Sequence, residues 1–253
     1  MSPGEIVMEM RSSNPALNSK SFENLPAVAQ TEAMTLQGTV NKTGILLICV
    51  LITAAWTWNQ VRSGEQAGSS IAIGAIGGFV MGMVTIFKRN WAPFTAPIYA
   101  LLEGLVIGGL SALLEFQYHG IAMQAAGLTI GTLFCMLLAY TSGVIRVTDN
   151  FRLGVVAATG GIALVYFVSM ILGFFGIAIP YIHTSGPIGI AFSLLVVGIA
   201  ALNLVMDFDF IDSASRQGAP KYMEWYAAFG LIVTLIWLYI ELLRLLSKLR
   251  DRR

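Results

Sequence analysis

The sequence predicts an all-α integral membrane protein, a bundle of seven transmembrane helices. Three observations predict it. Hydrophobic residues make up 56% of the 253 and charged residues only 11%, where a soluble domain carries about 25% charged. The mean hydropathy is +0.74. From Gly44 onward, apolar runs long enough to cross a bilayer recur seven times. So few charges cannot cover a water-facing surface, so lipid is the solvent for most of the chain.

Residues 1–42 are rich in Ser, Asn, Thr and Gln, with Pro3, Pro15 and Pro26. Such a segment buries too little apolar surface to offset its ordering entropy, so it is expected to be a flexible tail. A short amphipathic helix around residues 25–36 is a weaker expectation within it. Residues 43–253 form the transmembrane domain. Its spans are expected near 44–61, 71–87, 94–114, 121–145, 153–178, 186–206 and 225–246. The breaks between them carry charge, Gly or Pro: Arg62 to Glu65, Lys88 to Asn90, Tyr118 to Gly120, Arg146 to Arg152, Pro180 to Pro187, and Asp207 to Glu224. Loops this short make neighbouring helices antiparallel.

Glycines recur every fourth residue in three spans: Gly74, Gly78 and Gly82; Gly104 and Gly108; Gly127 and Gly131. Small residues at this spacing let helix backbones approach closely in lipid. Packing within the bundle is the expected use, and an interface with another chain is the alternative.

The first 43 residues hold no apolar run of signal-peptide type, so the first span is expected to act as the uncleaved insertion signal. Orientation follows the basic residues of the loops. With the N-terminus in the cytoplasm, nine fall inside (Arg11, Lys20, Lys42, Lys88, Arg89, Arg146, Arg152, Arg216, Lys221) and the outer loops hold Arg62. The C-terminal cluster Arg244, Lys248, Arg250, Arg252 and Arg253 opposes this. Either the seventh segment crosses against the rule, or it is re-entrant and returns the tail to the cytoplasm.

Composition and motifs also exclude. A net charge of +1 gives no basic face for nucleic acid. Cys49 and Cys135 lie in apolar runs and read as small packing residues. No nucleophile–base pair and no metal-ligand cluster is recognisable, so neither an enzyme nor a bound cofactor is expected. Thr184-Ser185-Gly186 lacks the G-x-S-x-G elbow of a serine hydrolase. His119 and His183 fall in outer loops, where solvated imidazoles make a weak pH sensor.

Ionisable residues inside spans are costly, roughly 2.5–3.5 kcal/mol on insertion scales, so each needs a reason. Glu103 lies mid-way along the third span: a proton or cation site, or a neutral carboxyl bonded to a neighbouring helix. Glu115 reads as a solvated helix end. Asp207, Asp209 and Asp212 cluster where the sixth span ends. At about 100° per residue Asp209 and Asp212 share a face and Asp207 points elsewhere. Clustered carboxylates suit a hard cation such as Ca2+, and a solvated acidic helix end is the plain alternative. Glu241 and Arg244, three apart, are expected to pair.

Four stretches resemble the Bax inhibitor 1-like membrane proteins, in their bacterial branch: Ala96 to Ser111, Gly143 to Asp149, Asn203 to Ile211, and Trp237 to Leu246. The resemblance covers the chain from about residue 40 to the end. It implies a seven-helix fold with the last helix central, in a bacterial inner membrane. It also implies a pH-sensitive Ca2+ leak, attributed to an Asp pair on the sixth and seventh helices and an Arg near the end of the second. The sixth-helix Asp matches Asp209 best, with Asp207 the other candidate, and the basic residue matches Arg89 or Lys88. The seventh-helix Asp falls on Thr234, or in a shifted register on Glu241. The expected function is therefore a passive Ca2+ or H+ conductance, with Asp207 and Asp209 as a gate and Glu103 inside. A non-conducting regulator that binds another membrane protein is the alternative.

Overall fold

The computed structural model describes residues 33–176 and 184–252. Seven helices in this range are long and apolar enough to span a membrane. They are α1 (Leu36–Arg62), α2 (Gly68–Phe87), α3 (Ala92–Gln117), α4 (Ile121–Thr141), α5 (Asp149–Phe174), α6 (Pro187–Arg216) and α7 (Met223–Asp251). A single turn, Arg89–Trp91, joins α2 to α3. The all-α, seven-span fold expected from the sequence is the one adopted. The expected helix at residues 25–36 and His183 fall wholly or largely outside the described residues.

Boundaries differ in places that matter. Helix α1 begins at Leu36 rather than near Gly44, because Thr35 caps it by accepting a hydrogen bond from the Gly38 N–H at 2.9 Å. Helix α6 continues to Arg216 rather than breaking at Asp207. Its last turns are held by the Asp212–Arg216 ion pair, 2.9 Å and one turn apart, and Gly218 at φ 69° closes the turn that follows. The three aspartates are therefore helical residues and do not lie in a loop.

Helix α7 settles the fate of the seventh segment. It runs without interruption from Met223 to Asp251, so a re-entrant course is ruled out. Its first turn lies near the start of α1, where Met34 N–H bonds to the Ala219 carbonyl. Its last turn lies at the opposite face: Arg250 donates to the His119 carbonyl at 2.7 Å and Asp251 accepts from Ser185 at 2.8 Å. The bundle thus has an N-terminal face, with the start of α1 and the α6–α7 turn, and a C-terminal face on the other side. Basic residues of the C-terminal cluster are bonded into the bundle. Lys248 is 5% exposed and donates to the Gly189 carbonyl and to Ser193.

Helix α7 is also the centre of the fold, packed by α1, α3, α4 and α6. Its buried face carries Tyr226, Phe229, Ile232, Leu238 and Leu243. The glycine repeats divide into two kinds. A Cβ on Gly74 would meet the Leu102 backbone oxygen at 2.6 Å, and one on Gly108 would overlap the Ala54 backbone. These glycines bring α2 and α1 against α3. Gly127 and Gly131 face open space.

At the other extreme stands α5. It is the least buried span and packs mainly against α6. Its inward stripe is Arg152, Val155, Thr159, Ile162, Tyr166 and Ser169, a 3-4-3-4-3 spacing like a coiled-coil seam. Only the two aliphatic members, Val155 and Ile162, are fully buried.

Candidate functional site

The polar members of the α5 stripe each meet a partner across the seam. Near the N-terminal face Arg152 donates to Asp209 of α6 at 2.6 Å, both side chains being mostly covered. One heptad on, Thr159 accepts from the Asn203 amide of α6 at 2.9 Å. A further heptad on, Tyr166 donates to Glu241 of α7 at 2.9 Å and accepts from Arg244 at 2.7 Å. From Arg152 to Tyr166 is fourteen residues, about 21 Å of helix rise. That length is about two thirds of the roughly 30 Å thickness of a hydrocarbon core.

Each end of the seam holds an ion pair. At the end near the N-terminal face Tyr140 of α4 lies 3.4 Å from both Asp209 and Asp212, which share a face of α6 as their spacing predicts. Asp212 is held in turn by the exposed Arg216. At the end toward the C-terminal face Glu241 pairs with Arg244 at 2.8 Å, as expected from the three-residue spacing. The second Glu241 oxygen and the Ser169 hydroxyl are buried with no hydrogen-bond partner among the described residues.

Asp207 stands apart from Asp209 and Asp212. It is fully buried, on the face of α6 turned to α7, and accepts a hydrogen bond from Thr234 at 2.6 Å. The position opposite Thr234 is therefore held by Asp207, whereas Asp209 faces α5. Asp207 and Asp209 do not meet as one gate.

Glu103 lies elsewhere, between α2 and α3. It is half-buried, beside the Tyr99 hydroxyl, and a Cβ on Gly78 would lie 2.8 Å from its Oε1. Arg89 lies at the N-terminal face with its guanidinium 5.8 Å from the Tyr226 ring centre. The candidates thus fall into separate places: Asp209 and Asp212 together, Asp207 in the core, Glu241 at the opposite end of the seam, and Glu103 and Arg89 on the α2–α3 side.

Other side chains escaped the sequence reading. Glu224, placed there in a loop, is fully buried in the first turn of α7. It accepts from the Thr35 N–H at 2.9 Å and its hydroxyl at 3.0 Å, and pairs with Lys42 and Lys221. Glu115 is no solvated end: it accepts from the backbone N–H of Gly120 and Ala122, groups at the otherwise uncapped start of α4. In the turns outside the spans, burial pushes the Tyr222 phenol up, with Arg89 pulling the other way. The bond to Asp251 raises Tyr118.

Among the described residues no group of three or more His, Cys, Asp or Glu side chains is placed to hold a metal ion. Comparison finds no match to a curated protein and none to a solved structure. The model of the family described as Bax inhibitor 1 like matches residues 14–251, nearly the whole chain. With seven spans around a central last helix and that match, the chain is a multi-pass membrane protein and belongs to the Bax inhibitor 1-like family.

Proposed function

We propose that this protein is a passive, pH-modulated cation conductance that passes Ca2+ along the polar seam between α5 and the α6–α7 pair. The observation that carries the reading is the heptad of polar ties at Arg152, Thr159 and Tyr166, which lines one helix interface with oxygen and charge over about two thirds of the thickness of a hydrocarbon core. An apolar interface would need none of these groups, and each is costly in lipid. The oxygens of Asp209, Thr159, Tyr166 and Glu241 are the donor type a hard cation takes. Arg152 and Arg244 occupy the two acidic ends and hold the path shut. A carboxylate that gains a proton releases its arginine, so acidification opens the seam. On this reading the N-terminus lies in the cytoplasm of a bacterial cell and Asp209 marks the inner end.

The test is Ca2+ entry into dye-loaded proteoliposomes at a series of pH values from alkaline to acid. Wild type is expected to pass more Ca2+ at the acid end. Asp209→Asn should raise the flux at the alkaline end and flatten the profile. Glu103→Gln, away from the seam, should leave it unchanged. Folded protein with no flux above empty liposomes at any pH would overturn the proposal.

One observation favours a second reading, a non-conducting regulator of another membrane protein. Gly127 and Gly131 of α4 lie one turn apart and face open space, where a foreign helix can approach closely. Crosslinking to a partner helix at Gly127→Cys, with no flux, would favour it.

A further inference from the structure

A cavity of about 550 Å3 opens between α1 and α4, floored by α3 and α7. Its lining extends on α1 from Leu47 to Asn59 and on α4 from Ala122 to Leu133. Both stretches lie toward the C-terminal face, where α1 ends and α4 begins. Twelve residues of helix rise about 18 Å, close to half of the roughly 30 Å hydrocarbon core. The cavity is therefore as deep as one leaflet.

The chemistry changes along that depth. The deep walls are aliphatic apart from Thr129, whose hydroxyl is bonded to the Ala125 carbonyl, and the polar pair on the floor, Ser111 and Tyr239, is closed on itself by a 2.7 Å hydrogen bond. The mouth carries Asn59 and Trp58, the latter a residue type that settles at headgroup level. At the same face Arg250 is held by the Gln124 side chain, one residue from the lining Met123. A cation and an amide thus stand at the end where a lipid phosphate would lie.

Depth and chemistry decide between occupants. Water has too few polar partners on such walls. A single hydrocarbon chain matches in depth and in chemistry, and roughly 300–1,000 Å3 is usual for a small-ligand site. We propose that this cavity binds one acyl chain of a phospholipid from the leaflet at the C-terminal face. Its headgroup sits at Asn59 and Trp58 beside Arg250. The site is independent of the polar seam.

Native mass spectrometry of the full chain, stripped of loosely held lipid in mild detergent, tests this. Wild type should retain one phospholipid per chain. Ala126→Phe, which fills the cavity, should lose it, and Ile76→Phe, on the lipid-facing surface of α2, should keep it. In parallel, wild type is reconstituted with a phospholipid carrying a photoreactive group midway along its chain. Adducts should appear on the buried Ile236 and on Ile107 at the cavity floor. The proposal is overturned if wild type holds no lipid, or if Ala126→Phe holds as much as wild type. Adducts confined to outward residues such as Ile76 and Phe79 would also overturn it, as would a wild-type mass of two chains without lipid.

Discussion

Thr234 of α7 donates a hydrogen bond to the fully buried carboxylate of Asp207 on α6 at 2.6 Å, a polar contact in the middle of the two most buried helices of the bundle. The family resemblance puts its seventh-helix carboxylate on Thr234 or on Glu241, and at Thr234 the contact to Asp207 is made by a hydroxyl. Removing that donor leaves a buried carboxylate short of a partner, at a cost of about 1–3 kcal/mol. Thr234→Val should therefore lower the midpoint of thermal unfolding, followed in detergent with a thiol-reactive dye. Thr234→Ser, which keeps the hydroxyl, should recover most of the loss.

Glu224 is the second buried carboxylate, and it fastens the start of α1 to the start of α7. With Lys42, Lys221 and the Thr35 N–H and hydroxyl around it, it is fully engaged. Breaking a buried pair by removing one partner costs about 3–5 kcal/mol. Glu224→Ala should be among the most destabilising single changes in the chain. A methyl on Gly38 would overlap the Glu224 carboxylate. Gly38→Ala should therefore also destabilise, and combining the two should cost less than their sum, because the methyl no longer meets a carboxylate. Thermal unfolding of the four proteins in that cycle checks it.

The glycines offer a paired comparison. Gly108 lies against the Ala54 backbone, so Gly108→Ala should separate α1 from α3 and cost about 1–3 kcal/mol by overpacking. Gly127 opens on lipid, and Gly127→Ala should be neutral or stabilising, since alanine favours a helix by roughly 1 kcal/mol over glycine. Their unfolding midpoints in one detergent should move in opposite directions or differ clearly.

Helix α5 depends on its polar ties more than the other spans do, because Val155 and Ile162 are the only residues it buries fully. Arg152→Gln and Tyr166→Phe should each loosen it. Hydrogen exchange should quicken along Asp149–Phe174 while Ala92–Gln117, packed on both sides by α1 and α2, is unchanged. Equal quickening in both helices would mean that the ties serve the bundle as a whole.

Much of this fold is legible in the sequence, because lipid imposes length and hydropathy on every span. The count of helices follows from run length and hydropathy, and the Glu241–Arg244 pair and the divergence of Asp207 from Asp209 follow from helical spacing. The course of α7 does not. A charge rule sets Arg244, Lys248 and Arg250 against crossing, and it has no knowledge of the Glu241, Ser193 and His119 groups that receive them. Acidic residues from Asp207 onward read as the end of a span, whereas Thr234 donates to Asp207 and Arg152 and Arg216 pair with Asp209 and Asp212, so helix α6 continues. Glu224 looked like loop because its partners Thr35 and Lys42 lie far off in the chain. The α5 seam was open to view: Arg152, Thr159 and Tyr166 stand seven apart in an apolar segment. Their partners on α6 and α7 required the structure.

The most direct test of the proposed conducting path is made at its middle. Thr159→Cys is placed in a chain whose native thiols are removed by Cys49→Ser and Cys135→Ser, and Ca2+ flux is measured before and after a cationic, membrane-impermeant thiol reagent. Leu164→Cys, on the outward side of the same helix, serves as the comparison. The account predicts that the reagent blocks flux through Thr159→Cys and spares Leu164→Cys. Flux that persists unchanged in Thr159→Cys after its thiol is shown to be modified would contradict it.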